Sequence, residues 1–169
     1  TAQAENLVNL VRDRLELTGS EIVVDAYAGV GVFAILLAPY VARVIAIEES
    51  NSAVNDAREN AEGLDNVVFI EARTEDALGM LEEEAGLASP PDAVILDPPR
   101  VGCHPGTLYA LLGLRPRRVA YVSCDPPSLA RDLNILAEGG YTVDSVEPVD
   151  MFPQTYHIEC VATLTLADS

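Results

Sequence analysis

Five short apolar runs, largely β-branched, punctuate the chain at 22–24, 44–47, 67–70, 93–96 and 119–122. Strands of this kind, with no polar residue alternating in, are buried on both faces, as when helices cover both sides of a parallel sheet. The intervening stretches read as helices. Leu7, Val8, Leu10, Val11 and Leu15 recur at helical spacing, which predicts an amphipathic helix over 3–17, stopped by Thr18-Gly19-Ser20. Further helices are expected over 33–38, 51–62 and 74–84, the last strongly acidic. The end of the chain departs from this alternation. Residues 141–149 and 157–166 are both strand-like with no helix between them, so the last strand should close a hairpin and run antiparallel. With no internal repeat, and only 85–91 resembling a linker, the 169 residues suit one α/β domain over 1–169.

Composition narrows the function classes. No apolar run approaches the ~18 residues of a membrane-spanning helix. The start, Thr1-Ala2-Gln3-Ala4-Glu5, lacks the basic and apolar segments of a signal peptide and lacks Met, so the chain reads as a cytoplasmic fragment of a longer protein. Cys103, Cys124 and Cys160 are an odd count without C-x-x-C spacing, which disfavours a disulfide framework and a zinc site; no metal is expected. There are 27 acidic and 10 basic residues, all ten of them Arg, for a net charge of -17. Taken alone, that charge argues against nucleic acid as a partner. Arg115, Arg117 and Arg118 cluster, however, and Arg100 and Arg131 each lie beside a motif, so these five are the cations available to guide a flipped nucleotide.

Asp25-Ala26-Tyr27-Ala28-Gly29-Val30-Gly31 follows the first strand and opens a helix. Glycines there let the backbone approach a ligand, and the helix start offers N–H groups. Glu48 ends the second strand, where a carboxylate can accept both ribose hydroxyls of a nucleoside. With Ala34, the spacing also fits a dinucleotide fingerprint, making NAD a competitor. Six parallel strands would suit NAD, whereas five and a hairpin suit an S-adenosylmethionine-dependent methyltransferase. Asp97-Pro98-Pro99-Arg100 and Ser123-Cys124-Asp125-Pro126-Pro127 end the fourth and fifth strands, at the edge where open α/β sheets bind ligands. Cys124 directly precedes a helix, a setting that activates thiols as nucleophiles. Cys160, inside a strand, reads as a small hydrophobe, while Cys103 is open to either reading. Alternation puts His157 and Glu159 on the same face of the last strand, and pattern alone does not choose a base between them.

Together, Asp-x-Tyr-x-Gly-x-Gly-x-Phe, Asp97-Pro-Pro-Arg100, Tyr-Val-Ser-Cys124-Asp-Pro with Arg131-Asp132, and Asp-Met-Phe-Pro-Gln-Thr-x-His-Ile-Glu159 resemble the catalytic domain of the RNA uracil-5-methyltransferases. The resemblance runs over essentially the whole chain. It implies a Rossmann-like class I S-adenosylmethionine-dependent methyltransferase fold, a seven-stranded sheet of order 3-2-1-4-5-7-6 with an antiparallel last strand. It implies Cys124 as the nucleophile at uracil C6, Glu159 as the base at C5, and Asp97 between cofactor and target base. Asp25, Tyr27, Gly29, Gly31, Glu48 and Asp97 match cofactor-binding positions, and Arg100 and Arg131 are expected to hold substrate. The implied cofactor is S-adenosylmethionine, and the implied partner is tRNA or rRNA, engaged by a monomer together with N-terminal domains that this chain lacks. Val32 departs from the Asn that many members carry after the second glycine. Two other readings remain at this point: a small-molecule or protein methyltransferase with an inert Cys124, and a cofactor-binding module without activity of its own.

Overall fold

The structure, a computed structural model, describes residues 2–149 and 159–167. The chain begins with helix α1 (Ala2–Arg14), strand β1 (Ile22–Asp25) and α2 (Val32–Leu37), which runs into a 3-10 turn at Ala38–Tyr40. Next come β2 (Arg43–Glu48), α3 (Asn51–Asn60), β3 (Val67–Glu71), α4 (Thr74–Gly79), α5 (Leu81–Ala85) and β4 (Ala93–Leu96). The last third holds α6 (Pro105–Leu114), β5 (Arg118–Ser123), α7 (Pro126–Glu138), β6 (Tyr141–Val149) and β7 (Glu159–Leu166).

The strands form one seven-stranded sheet in the order β3-β2-β1-β4-β5-β7-β6. Pairing is parallel from β3 through β5, and β7 runs antiparallel to both β5 and β6. This is the expected order and the expected reversal.

Successive strand residues divide between two cores because side chains alternate across a pleated sheet. Val24, Val94, Val119 and Tyr121 pack with Leu78, Leu81, Leu108, Leu111, Leu129 and Leu136 of α4 through α7. Val23, Ile95, Ala120 and Val122 pack instead with Leu7, Val11 and Leu37 of α1 and α2. Each fully buried Leu or Val contributes on the order of 1.5–3 kcal/mol. The central parallel strands therefore need apolar residues on both faces.

Two boundaries and one whole helix differ from the expectation. The first helix stops at Arg14, and the chain turns at Glu16, whose φ is 51°. The acidic helix breaks at Met80, after Gly79, because Leu78 and Leu81 both bury in the same core while Gly favours helix interruption. Helix α6 was not foreseen, since its segment Pro-Gly-Thr-Leu-Tyr-Ala-Leu-Leu-Gly-Leu has no polar face to betray a period. The expected hairpin connection, including His157, lies outside the described residues.

Candidate active site

Every parallel strand delivers its last residue to the same sheet edge. There the loops open a cleft of about 770 Å³, whose walls include Tyr27, Gly29, Glu48, Thr74, Asp97, Cys103 and Arg131. The loop after β1 is held by extensions of the sheet ladder: Ala26 N–H donates to the Ile95 carbonyl and Ala28 N–H to that of Ile47. Tyr27 is thereby aimed into the cleft, with its hydroxyl 3.2 Å from Thr107 Oγ1.

Glu48 closes the loop from the neighbouring strand. Its Oε2 accepts the Gly29 N–H at 2.9 Å and its Oε1 the Ser50 N–H at 2.8 Å. Each oxygen keeps a further lone pair for a hydroxyl donor. Gly29 has φ 52° and lines the cleft. Gly31 does a different job. Its φ is 88°, and a Cβ there would lie 3.1 Å from Ile35 Cδ1 and 3.3 Å from Ala57 Cβ, so it permits close packing behind the loop. Asp25 lies beneath the loop, 1% exposed, with Oδ2 accepting the Ala34 N–H at 3.2 Å and Oδ1 without a hydrogen-bond partner.

Negative charge accumulates here. Burial pushes Asp97 up to about 7, with the charge of Glu159 adding to it. Burial likewise pushes Asp25 up to about 7, with repulsion from Asp97 adding to it and the Ala34 N–H hydrogen bond opposing it. Glu48 and Asp97 line the cleft with Asp25 buried behind it, and carboxylates so gathered suit a ligand that brings positive charge and hydroxyl groups.

Adjacency of β4, β5 and β7 carries Asp97, Cys124 and Glu159 to one sheet edge, where Asp97 lines the cleft and the other two lie at the ends of the strands beside it. Asp97 follows the end of β4, Cys124 follows the end of β5, and Glu159 begins β7. Ser123 pairs with Cys160, so the next residue along each chain toward the cleft edge is Cys124 and Glu159 respectively. Cys124 is half-buried and precedes α7, which Asp125 caps by accepting the Ser128 N–H at 3.0 Å. Cys103 belongs to the wall instead: it is 4% exposed, and burial pushes its thiol up to about 12.

The arginines divide. Arg131 borders the cleft but donates to Asp132 and to the Val101 carbonyl. Arg100 has its carbonyl held by Ser128 Oγ at 3.0 Å. Arg118 begins β5, at the opposite edge of the sheet, and pairs with Glu16; Arg115 and Arg117 lie beside Pro90 and Pro91 at that same far end. The cluster at 115–118 therefore does not face the cleft, because a parallel strand puts its first and last residues on opposite edges. Arg73, Thr74 and Glu75 do line it and carried no sequence signal, being ordinary first residues of a helix. Among the described residues, no group of side chains is arranged to hold a metal ion, and no helix is long and apolar enough to cross a membrane.

A sheet of this order and reversal, with an acidic loop and strand end walling a cleft at its carboxyl edge, defines the class I methyltransferase fold. The family profile described as tRNA (Uracil-5-)-methyltransferase matches residues 2–166, and the chain belongs to that family. A protein of Listeria innocua named as an uncharacterised RNA methyltransferase is 43% identical over 166 residues, covering 97% of this chain and 36% of that protein. One of Gloeobacter violaceus with the same description is 45% identical over 166 residues, covering 97% and 35%. Among solved structures, the Pyrococcus abyssi tRNA (uracil-54, C5)-methyltransferase in complex with S-adenosyl-L-homocysteine superposes with a TM-score of 0.79 at 36% identity. That match covers 96% of this chain and 38% of the other. The chain thus spans about a third of the length of the proteins it matches.

Proposed function

We propose that this chain is the catalytic domain of an RNA methyltransferase that forms 5-methyluridine in tRNA or rRNA with S-adenosylmethionine as methyl donor. The observation that carries this reading is the convergence of Asp97, Cys124 and Glu159 from three adjacent strands beside the cleft of Tyr27, Gly29 and Glu48. The family and the bound product of the Pyrococcus relative support it. The residues fit the donor: Glu48 has lone pairs for ribose hydroxyls, and the acidic surroundings of Asp25 and Asp97 favour a cationic ligand.

When bound, the cofactor supplies an electrophilic methyl group on a sulfonium. The chain's residues do the rest. Uracil C5 is a weak nucleophile until the Cys124 thiolate adds to C6, forming the S–C6 bond and moving the π electrons toward C5 and O4. After C5 has taken the methyl group, Glu159 accepts the C5 proton, the C5–C6 double bond re-forms, and the Cys124 thiolate departs. Asp97 stands between the two halves of the site, where it orients the base against the methyl donor. RNA recognition draws on sequence beyond this domain.

The test is covalent trapping on RNA that carries 5-fluorouridine, where fluorine blocks the final proton removal. A stable RNA adduct that disappears in Cys124→Ser is expected. Methyl transfer to a protein or small molecule with Cys124→Ser fully active would overturn the reading. Cofactor binding with no transfer by the protein at its natural length would leave a binding module instead.

A further inference from the structure

One face of α7 is spent on the loop that follows Asp97. Ser128, Arg131 and Asp132 share that face by their spacing of three and four residues. Ser128 Oγ donates to the Arg100 carbonyl at 3.0 Å, Arg131 Nη2 to the Val101 carbonyl at 2.9 Å, and the Cys103 N–H to Asp132 Oδ2 at 2.8 Å. Asp132 is fully buried, and its carboxylate also accepts the Tyr121 hydroxyl at 2.6 Å and Arg131 Nε at 2.9 Å. A carboxylate this enclosed is held only because both of its oxygens are occupied by donors.

The loop is shaped to receive it. Gly102 closes a turn onto the Pro99 carbonyl at 2.8 Å and has φ 84°. A Cβ at Gly102 would fall 2.4 Å from Arg131 Nη2 and 2.7 Å from Asp132 Oδ2, so the turn lies against the helix with no room for a side chain. The contact joins two segments that matter. The turn starts one residue beyond Asp97's neighbour Pro98, and α7 starts after Asp125, the neighbour of Cys124.

We propose that Asp132, oriented by Arg131, is a positioning residue that clamps the Asp97 loop to the middle of α7, the helix that Cys124 leads into, and so fixes the separation between Asp97 and Cys124. The proposal rests on the reading that these two residues serve one reaction. Arg131 acts in it as part of the clamp, through Nε and Nη2.

Asp132→Asn keeps the volume but turns one acceptor oxygen into a donor facing other donors. Gly102→Ala attacks the same contact from the loop side. For both variants, at the protein's natural length, three quantities are measured on folded material: cofactor affinity, hydrogen exchange of the Cys103 amide, and single-turnover methylation of a uridine-containing RNA. Cys103 exchange should accelerate at least tenfold, and cofactor affinity is read so that the rates are compared with the cleft saturated. The single-turnover rate should fall about a hundredfold with KM nearly constant, the scale of a misplacement near 1 Å. A residue that only stabilises the fold would lower the melting temperature and leave the rate per folded molecule intact. That outcome, or unchanged exchange at Cys103, overturns the clamp. If Asp132→Asn fails to fold, Gly102→Ala decides by the same readouts. If the wild-type protein methylates no uridine, the functional reading fails separately, and Cys103 exchange alone then decides whether the clamp exists.

Discussion

Glu48 and Asp97 show how much a single carboxylate depends on its setting. Glu48 already holds two backbone N–H groups, so its removal loosens the glycine loop as well as the ligand. Glu48→Ala should weaken nucleoside binding by roughly 1–3 kcal/mol, the range for a charged hydrogen bond, as calorimetry with S-adenosylmethionine would register. Equal or tighter binding of NAD in the same experiment would contradict the cofactor assignment. Asp25 and Asp97 carry a pH signature. Both ionise near 7 when folded, against about 3.9 in an unfolded chain, so the folded state binds more protons between those values. Their contribution to stability is full below that window and is lost as pH rises through about 7. The ligand-free chain should therefore melt higher near pH 5.5 than near pH 7.5, with a smaller difference in Asp97→Asn. A cationic ligand reverses the preference, and its binding near pH 7 should release protons, visible as a calorimetric heat that depends on buffer ionisation. Glu159→Gln isolates the last chemical step: the RNA should remain covalently attached, as a band retarded in a denaturing gel, whereas normal turnover would move the base role elsewhere.

Among the elements, those buried on both faces were legible. β4 appeared at its observed limits because Ala93, Val94, Ile95 and Leu96 each have a core to enter. The terminal hairpin was legible for the opposite reason, a missing helix between two strand-like runs. Helix α6 was not, since it is apolar nearly all round, and neither was the Asp132 contact, which exists only once α7 packs against the 99–103 turn. The motif pointed to Arg131 beside the cleft, and sequence spacing does not reveal that its guanidinium also meets the adjacent Asp132. The glycine loop offers a separate check on the link between motif and packing. Gly31→Ala would force a left-handed residue against Ile35 and Ala57, costing about 1–3 kcal/mol in urea denaturation. A neutral result would mean that α2 can shift to make room.

The whole molecule carries a net charge of -17, and its arginine cluster sits on the edge away from the cleft. At ~0.15 M salt the screening length is ~8 Å, so acidic groups around the cleft act on an approaching polyanion. This domain alone should bind its cofactor yet methylate RNA far more slowly than the protein at its natural length. A single-turnover comparison at physiological salt measures the difference, and equal rates would show that recognition resides within these residues. The order of the sheet has one more consequence. β7 follows β6 in the chain but lies between β5 and β6, and it brings Glu159 to the working edge only by running backwards. During synthesis, a ribosome-bound chain that has folded through β5 already displays Cys124 and the cofactor loop. Glu159 joins that edge only once β7 lies between β5 and β6, so a chain paired only through β5 presents the two neighbouring strand ends without this carboxylate.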